Sequence, residues 1–149
     1  MLSPGDQQPG ALEFDQLSLL HGASVRLDLG SAAEFDRIVA QSVTMSGTLN
    51  LVLDLGLGLS SVGSFQILEN LGTSTMGTFR FTHGGKVLNE GDEFISSTQH
   101  FRITYAGGTG NDVVLSAVPE PGASSLLALG ALLLSRRRTH RADGRRSET

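Results

Sequence analysis

Chemistry-bearing side chains are few in this chain and widely spaced, so the candidates are taken one by one. Gly107-Gly108-Thr109-Gly110-Asn111-Asp112-Val113-Val114-Leu115 fits a G-G-x-G-x-D-x-U-x pattern, in which glycines let the backbone approach closely and the aspartate offers a hard oxygen to calcium. A single copy supplies one carboxylate, Asp112, against the six to eight oxygens that calcium takes. The bland reading is a glycine-rich hairpin turn, so Asp112 is a weak calcium candidate and no metal or cofactor is expected. His21, His83, His100 and His140 lack the i, i+2 or i, i+4 spacing of metal ligands. Glu90, Asp92 and Glu93 make a small acidic cluster that reads as a solvated loop and not as the carboxylate pair of a glycosidase. Serines are plentiful, but none sits in a G-x-S-x-G elbow. Gly56-Leu57-Gly58 lacks the third glycine and following helix of a dinucleotide loop. These residues predict a protein that is not an enzyme.

The remaining chemistry is that of a substrate. In Val118-Pro119-Glu120-Pro121 each proline fixes its own φ and holds the residue before it extended. Extended, exposed backbone is the form that a processing cleft accepts. Gly122 to Ser135 then carries no charge and is rich in leucine and alanine, strong helix formers. A helix over that run is about 21 Å long, short of the roughly 30 Å hydrocarbon core, so it spans only with help from its flanks. Leu126, Leu127, Leu129, Leu132, Leu133 and Leu134 are its anchoring side chains, and Arg136, Arg137 and Arg138 follow. Arginines in that place stay on the cytoplasmic side and leave the preceding chain outside.

A Pro-Glu-Pro, a short apolar helix and an arginine cluster, in that order near a C-terminus, resemble the PEP-CTERM sorting signal of Gram-negative bacteria. The resemblance covers about Val118 to Arg138. It implies Pro119, Glu120 and Pro121 as the sorting motif, the leucines as a transient single-pass anchor and the arginines as a stop-transfer signal. It also implies cleavage by an exosortase in the inner membrane, and a final place on the cell surface or in an exopolysaccharide-rich biofilm matrix.

Charge and composition agree with that destination. Residues 1–121 carry 13 acidic and 5 basic side chains, a net of −8, whereas residues 122–149 carry 6 basic and 2 acidic, a net of +4. An acidic body repels nucleic acid, so the arginines read as a topology signal and no nucleic-acid partner is expected. Cys 0 excludes a disulfide framework or a thiolate metal site. Aromatic content of 5% with no Trp argues against a base-stacking or sugar-stacking platform. Met1 to Gly10 has neither the basic nor the apolar region of a signal peptide. Because the tail makes sense only on an exported protein, the reading expects further coding sequence and further repeats upstream.

The elements that must position these residues are strands. Gly 19 is nearly twice the usual share of about 7% and favours turns. Alternating runs mark strands at Ala11–Leu20, Ser24–Leu29, Thr48–Leu53, Ser64–Leu68, Thr78–Phe81, Lys86–Leu88, Phe94–Ile95, Phe101–Tyr105 and Asp112–Ala117, with an apolar run at Phe35–Ala40. Val25, Leu27 and Leu29 fall on one face. No segment of the body has a helical period, so the fold class is all-β. Gly47-Thr48-Leu49-Asn50-Leu51 matches Gly77-Thr78-Phe79-Arg80-Phe81, and Phe14-Asp15 recurs as Phe35-Asp36. Spacings of about 20 to 30 residues suit stacked coils, which predicts a parallel β-solenoid-like end closed by a terminal hairpin. The alternative is a small antiparallel β-sandwich. Phe35 to Leu115 resembles the C-terminal end of autotransporter-associated β-strand repeat proteins, which implies the same closing hairpin. The domain reading is a disordered segment over 1–10, a β-rich body over 11–117, the sorting signal over 118–138 and a polar tail over 139–149. The expected function is that of a structural or adhesive matrix protein. Alternatives are the end of a secreted polysaccharide-acting enzyme, or a calcium-stabilised adhesion module.

Overall fold

Alternation of apolar and polar side chains makes the strands, and stacking of like on like arranges them. The computed structural model describes residues 1–5, 8–57, 59, 63–73 and 76–119. Within them lie β1 (Ala11–Leu19), β2 (Ser24–Leu29), β3 (Arg37–Met45), β4 (Gly47–Leu55), β5 (Gly63–Asn70), β6 (Phe79–His83), β7 (Lys86–Leu88), β8 (Glu93–Ser96), β9 (Gln99–Gly107) and β10 (Asp112–Ala117). No helix occurs among the described residues. Met1–Val118 forms one compact unit.

The first six strands alternate between two sheets. One sheet has the order β1-β3-β5-β10-β9-β8 and the other β2-β4-β6-β7. β1/β3, β3/β5, β2/β4 and β4/β6 are all parallel. The small antiparallel sandwich is thereby overturned: both sheets are mixed. Parallel register sets Leu12, Ile38 and Leu68 in one row. It also sets Val25 on Leu51, Leu27 on Leu53 and Leu29 on Leu55. Val25, Leu27 and Leu29 are buried as their alternation predicts, and the inward side chains of both sheets form one apolar cluster. Fully burying a leucine of this kind contributes about 1.5–3 kcal/mol.

Two of the repeats in the sequence have different fates. Gly47 pairs with Phe79, not Gly77, so the Gly-Thr match is displaced by two residues in the register. A shift of two keeps every side chain on its face, and Leu49 therefore still lies over Phe81. Phe14 lies opposite Ala40, so Phe14-Asp15 and Phe35-Asp36 are not structural equivalents. Asp15 is exposed while Asp36 is fully buried. Alternation also slips once per strand: Asp15 and Gln16 in β1, and Gln41 and Ser42 in β3, are consecutive exposed pairs.

Antiparallel strands terminate the stack. β10 lies along β5, β9 along β10 and β8 along β9, while β7 folds back on β6. The turn between β6 and β7 is Gly84-Gly85, with φ of 55° and 83°, a left-handed pair that glycine adopts without a steric penalty. Tyr105 ties the two sheets together here. Its hydroxyl donates to Leu88 O at 2.8 Å and accepts from Phe81 N at 2.9 Å. Its ring packs edge-on to Phe79 at 5.3 Å, and the Arg80 guanidinium lies 5.2 Å from its centre.

Burial pushes the Tyr105 phenol up to about 12 from 10.0, against the Phe81 amide and the Arg80 charge, which favour the anion. The folded state thus holds this proton more tightly than the unfolded chain does. Its contribution is intact below about pH 10 and is lost as the pH rises from there through 12. Tyr105 is the only tyrosine and there is no tryptophan, so tyrosinate absorbance reads this group alone. The expected outcome is a midpoint near 12 in the native protein and near 10 in denaturant. Tyr105→Phe, which strands a donor and an acceptor, should cost about 1–3 kcal/mol in urea denaturation.

Candidate functional site

The expected sorting motif begins where the last ladder stops. Val118 N donates to His100 O at 2.9 Å, and the next residue, Pro119, has no amide hydrogen to continue the pairing and is exposed. Glu120 and Pro121, the anchor leucines from Leu126 to Leu134, and Arg136 to Arg138 lie outside the described residues. Among the described residues no helix is long and apolar enough to cross a membrane.

Asp112, the calcium candidate, is only 1% exposed and is surrounded by donors. Its Oδ1 accepts from Asn70 N at 2.7 Å, and its Oδ2 accepts from Thr109 N at 2.9 Å. Gly108, with φ of 53°, brings its backbone so near that an added Cβ would lie 1.9 Å from Asp112 Oδ2. A cation needs oxygens pointing inward, and here amide hydrogens occupy that place. Asp112 is a staple that joins the end of β5 to the β9–β10 turn, helped by Asn111, whose amide donates to Gly72 O at 2.6 Å. Among the described residues no group of three or more His, Asp or Glu is placed to hold a metal.

The other candidates are equally tied into the fold. Thr48 holds His21 Nδ1 through its amide at 3.2 Å and its hydroxyl at 2.9 Å. His83 Nδ1 lies 3.0 Å from Leu51 O, so that nitrogen carries the proton, and its ring rests on Phe94. His100 enters through its backbone, and His140 is outside the described residues. Glu90 accepts from Thr104 Oγ1 and Tyr105 N, and Glu93 pairs with Arg102. Asp92 accepts from Asn89, whose backbone amide holds the Asp92 carboxyl below its ordinary range. These three acids face three different partners and are not brought together.

The structure does bring together a set that went unread in the sequence. Leu27-Asp28-Leu29-Gly30 and Leu53-Asp54-Leu55-Gly56 are the same four residues, 26 apart, and β2/β4 pairing sets Asp28 directly on Asp54. Inward leucines and outward aspartates follow from alternation. The glycines then stack: Gly56 N donates to Leu29 O at 2.9 Å, and an added Cβ on Gly56 would come within 3.0 Å of Gly30. Arg26 Nε bonds Asp54 Oδ2 at 2.5 Å across the face of the sheet. Just beyond, Asp36 is fully buried, its Oδ1 accepting from Gly10 N at 2.6 Å and its Oδ2 from Asp28 N at 2.9 Å. Arg26, Asp28, Asp54, Gly30 and Gly56 line a cleft of about 680 Å³ together with Ser3, Pro9, Leu29 and Leu55. Burial, then the charges of Asp36 and Asp54, push the Asp28 carboxyl up, and Arg26 opposes them. Asp28 and the arginine-paired Asp54 thus present hydrogen-bonding groups to this cleft. The identical tetrapeptide was its signal in the sequence.

Like charges directly opposite on neighbouring strands cost about 0.2–1 kcal/mol. Because the Asp28 pKa is raised on folding, its ionisation weakens the fold as the pH climbs from about 3.8 through the folded value. Asp28→Asn should therefore gain roughly 0.5 kcal/mol at neutral pH. The gain should vanish at the acid end of a urea-denaturation series, where both forms are neutral. No family model, curated protein or solved structure matches this chain.

Proposed function

We propose that this is a non-enzymatic protein of the cell surface or extracellular matrix, delivered by a C-terminal signal that an exosortase removes. The observation that carries this reading is the order of three parts: Val118-Pro119-Glu120-Pro121, an uncharged Leu/Ala-rich run, and Arg136-Arg137-Arg138. The end of strand pairing at Val118, with an exposed proline next, supports it, since a protease needs extended backbone free of a sheet. The body is the closing end of a parallel β-solenoid, a reading supported by strands that alternate between two sheets in parallel register and by a cap of antiparallel strands. In this reading the tail holds the protein in the inner membrane transiently, and the released body joins an exopolysaccharide-rich matrix.

The stacked Asp28 and Asp54 in their cleft favour a second reading, in which the chain is the end of a secreted polysaccharide-acting enzyme. A pair of carboxyl groups at one cleft is what glycoside chemistry uses, and burial pushes the Asp28 carboxyl up. Arg26 neutralises one of the two, however, and among the described residues no aromatic side chain lines the cleft to stack against a sugar.

Intact-mass analysis of a host's surface fraction tests the first reading. The wild type should be recovered cut near Pro119–Pro121, and replacement of Pro119, Glu120 and Pro121 by alanine should leave the chain whole and membrane-bound. A wild-type chain intact through Thr149 at the surface would overturn it.

A further inference from the structure

Taking the exosortase reading above as given, we infer that the folded body decides which side of the motif is cut. Pro119, Glu120 and Pro121 lie upstream of the broken bond, which is Pro121–Gly122 or one further on. The limit comes from the strand that precedes them, since Glu120 to Gly122 lie outside the described residues. β10 is an interior strand of its sheet, with β5 along one side and β9 along the other. Ala117, its last residue, pairs with Gly63 on one side and Phe101 on the other, and Ser116 pairs with Ser64 and Arg102. One residue on, Val118 is half-buried and its N still donates to His100 O at 2.9 Å. Pro119 is the first residue past the ladder, exposed and without an amide hydrogen.

An enzyme that takes an extended substrate holds it as an added strand, through main-chain hydrogen bonds. Ser116 and Ala117 have already given theirs to both neighbours. A cleft that grips the residues just upstream of its bond would, for a cut at Val118–Pro119 or Pro119–Glu120, have to draw out Val118 and Ala117. A cut at Glu120–Pro121 would still draw out Val118. Withdrawing Ala117 also uncovers Phe101, its partner on β9, which is 0% exposed. An edge strand could be lifted by breaking one ladder, but here two must go. A cut after Pro121 asks for Pro119, Glu120 and Pro121 alone and leaves the sheet whole.

The enzyme therefore acts on a body that is already folded, and the motif fills the upstream half of its cleft. The peptide C–N bond breaks, water gives its hydroxyl to the upstream carbonyl, and the new amine takes the proton. β10 and the Val118 hydrogen bond stay with the released body.

The test is C-terminal peptide sequencing, by mass spectrometry, of the protein recovered from a host's surface fraction. The terminus should lie at Pro121 or beyond it, ahead of Arg136. A terminus at Glu120 or upstream would overturn this inference and leave the exosortase reading standing, whereas a chain whole through Thr149 would overturn both. Insertion of Gly-Ser-Gly-Ser between Val118 and Pro119 moves the motif off the sheet and keeps its distance from the apolar run. That variant should be cut at the same bond of the motif; loss of cutting, or a cut that keeps its distance from Val118, would show that the enzyme reads β10 and sink the proposal. Without any exosortase, proteinase K on the full chain should leave a fragment ending between Val118 and Pro121. A fragment ending inside Asp112–Ala117 would show that the last strand opens freely, and the limit would fall.

Discussion

In-register stacking between parallel neighbours is the constraint from which the rest of this structure follows. Leu27 needs Leu53, and Leu12 needs Ile38 and Leu68, because no rung buries its inner face alone. The same register that rewards leucine on leucine also forces aspartate onto aspartate at Asp28 and Asp54. Arg26 answers that cost with an exposed ion pair, which is worth little by itself but relieves a repulsion that the core imposes. The cleft beside them is therefore a by-product of the core's demands as much as a feature of the surface.

Polar side chains do their structural work where the stacking stops. Asp36 and Asp112 are both buried, and each receives backbone amides on both oxygens, with no basic partner among the described residues. Hydrogen bonds to a charged acceptor contribute about 1.5–3 kcal/mol, more than neutral ones. Glu90 and Tyr105 bind the closing strands in the same manner, side chain to backbone. The pattern explains how acidic residues become fully engaged in a chain with few bases: they are acceptors for a backbone that turns corners.

Much of this was legible beforehand. Apolar patterning placed Ser24–Leu29, Lys86–Leu88 and Asp112–Ala117 at their observed bounds, and strict alternation in the first identified Val25, Leu27 and Leu29 as inward. Alternation failed where it breaks, at Asp15-Gln16 and Gln41-Ser42 on the outside and Ile67-Leu68 on the inside, because a period of two has no room for consecutive residues on one face. Asp36 was unreadable since a lone aspartate looks solvated until its amide donors, from residues as distant as Gly10, are known. The Leu-Asp-Leu-Gly pair was visible and missed. The Gly-Thr and Phe-Asp pairs are poorer guides, since one is displaced in register and the other has no structural counterpart.

The spacing between stacked partners grows along the chain. Ala11 to Arg37 and Ser24 to Asn50 are 26 residues apart, Ile38 to Leu68 is 30 and Gly47 to Phe79 is 32. Loop-closure entropy rises only with the logarithm of length, so moving from 26 to 32 costs about 0.2 kcal/mol. Elongating a corner is thus nearly free in chain entropy, while moving a strand by a single position would turn its whole inner row outward. Variation in length belongs at the bends, and the strands themselves hold their count.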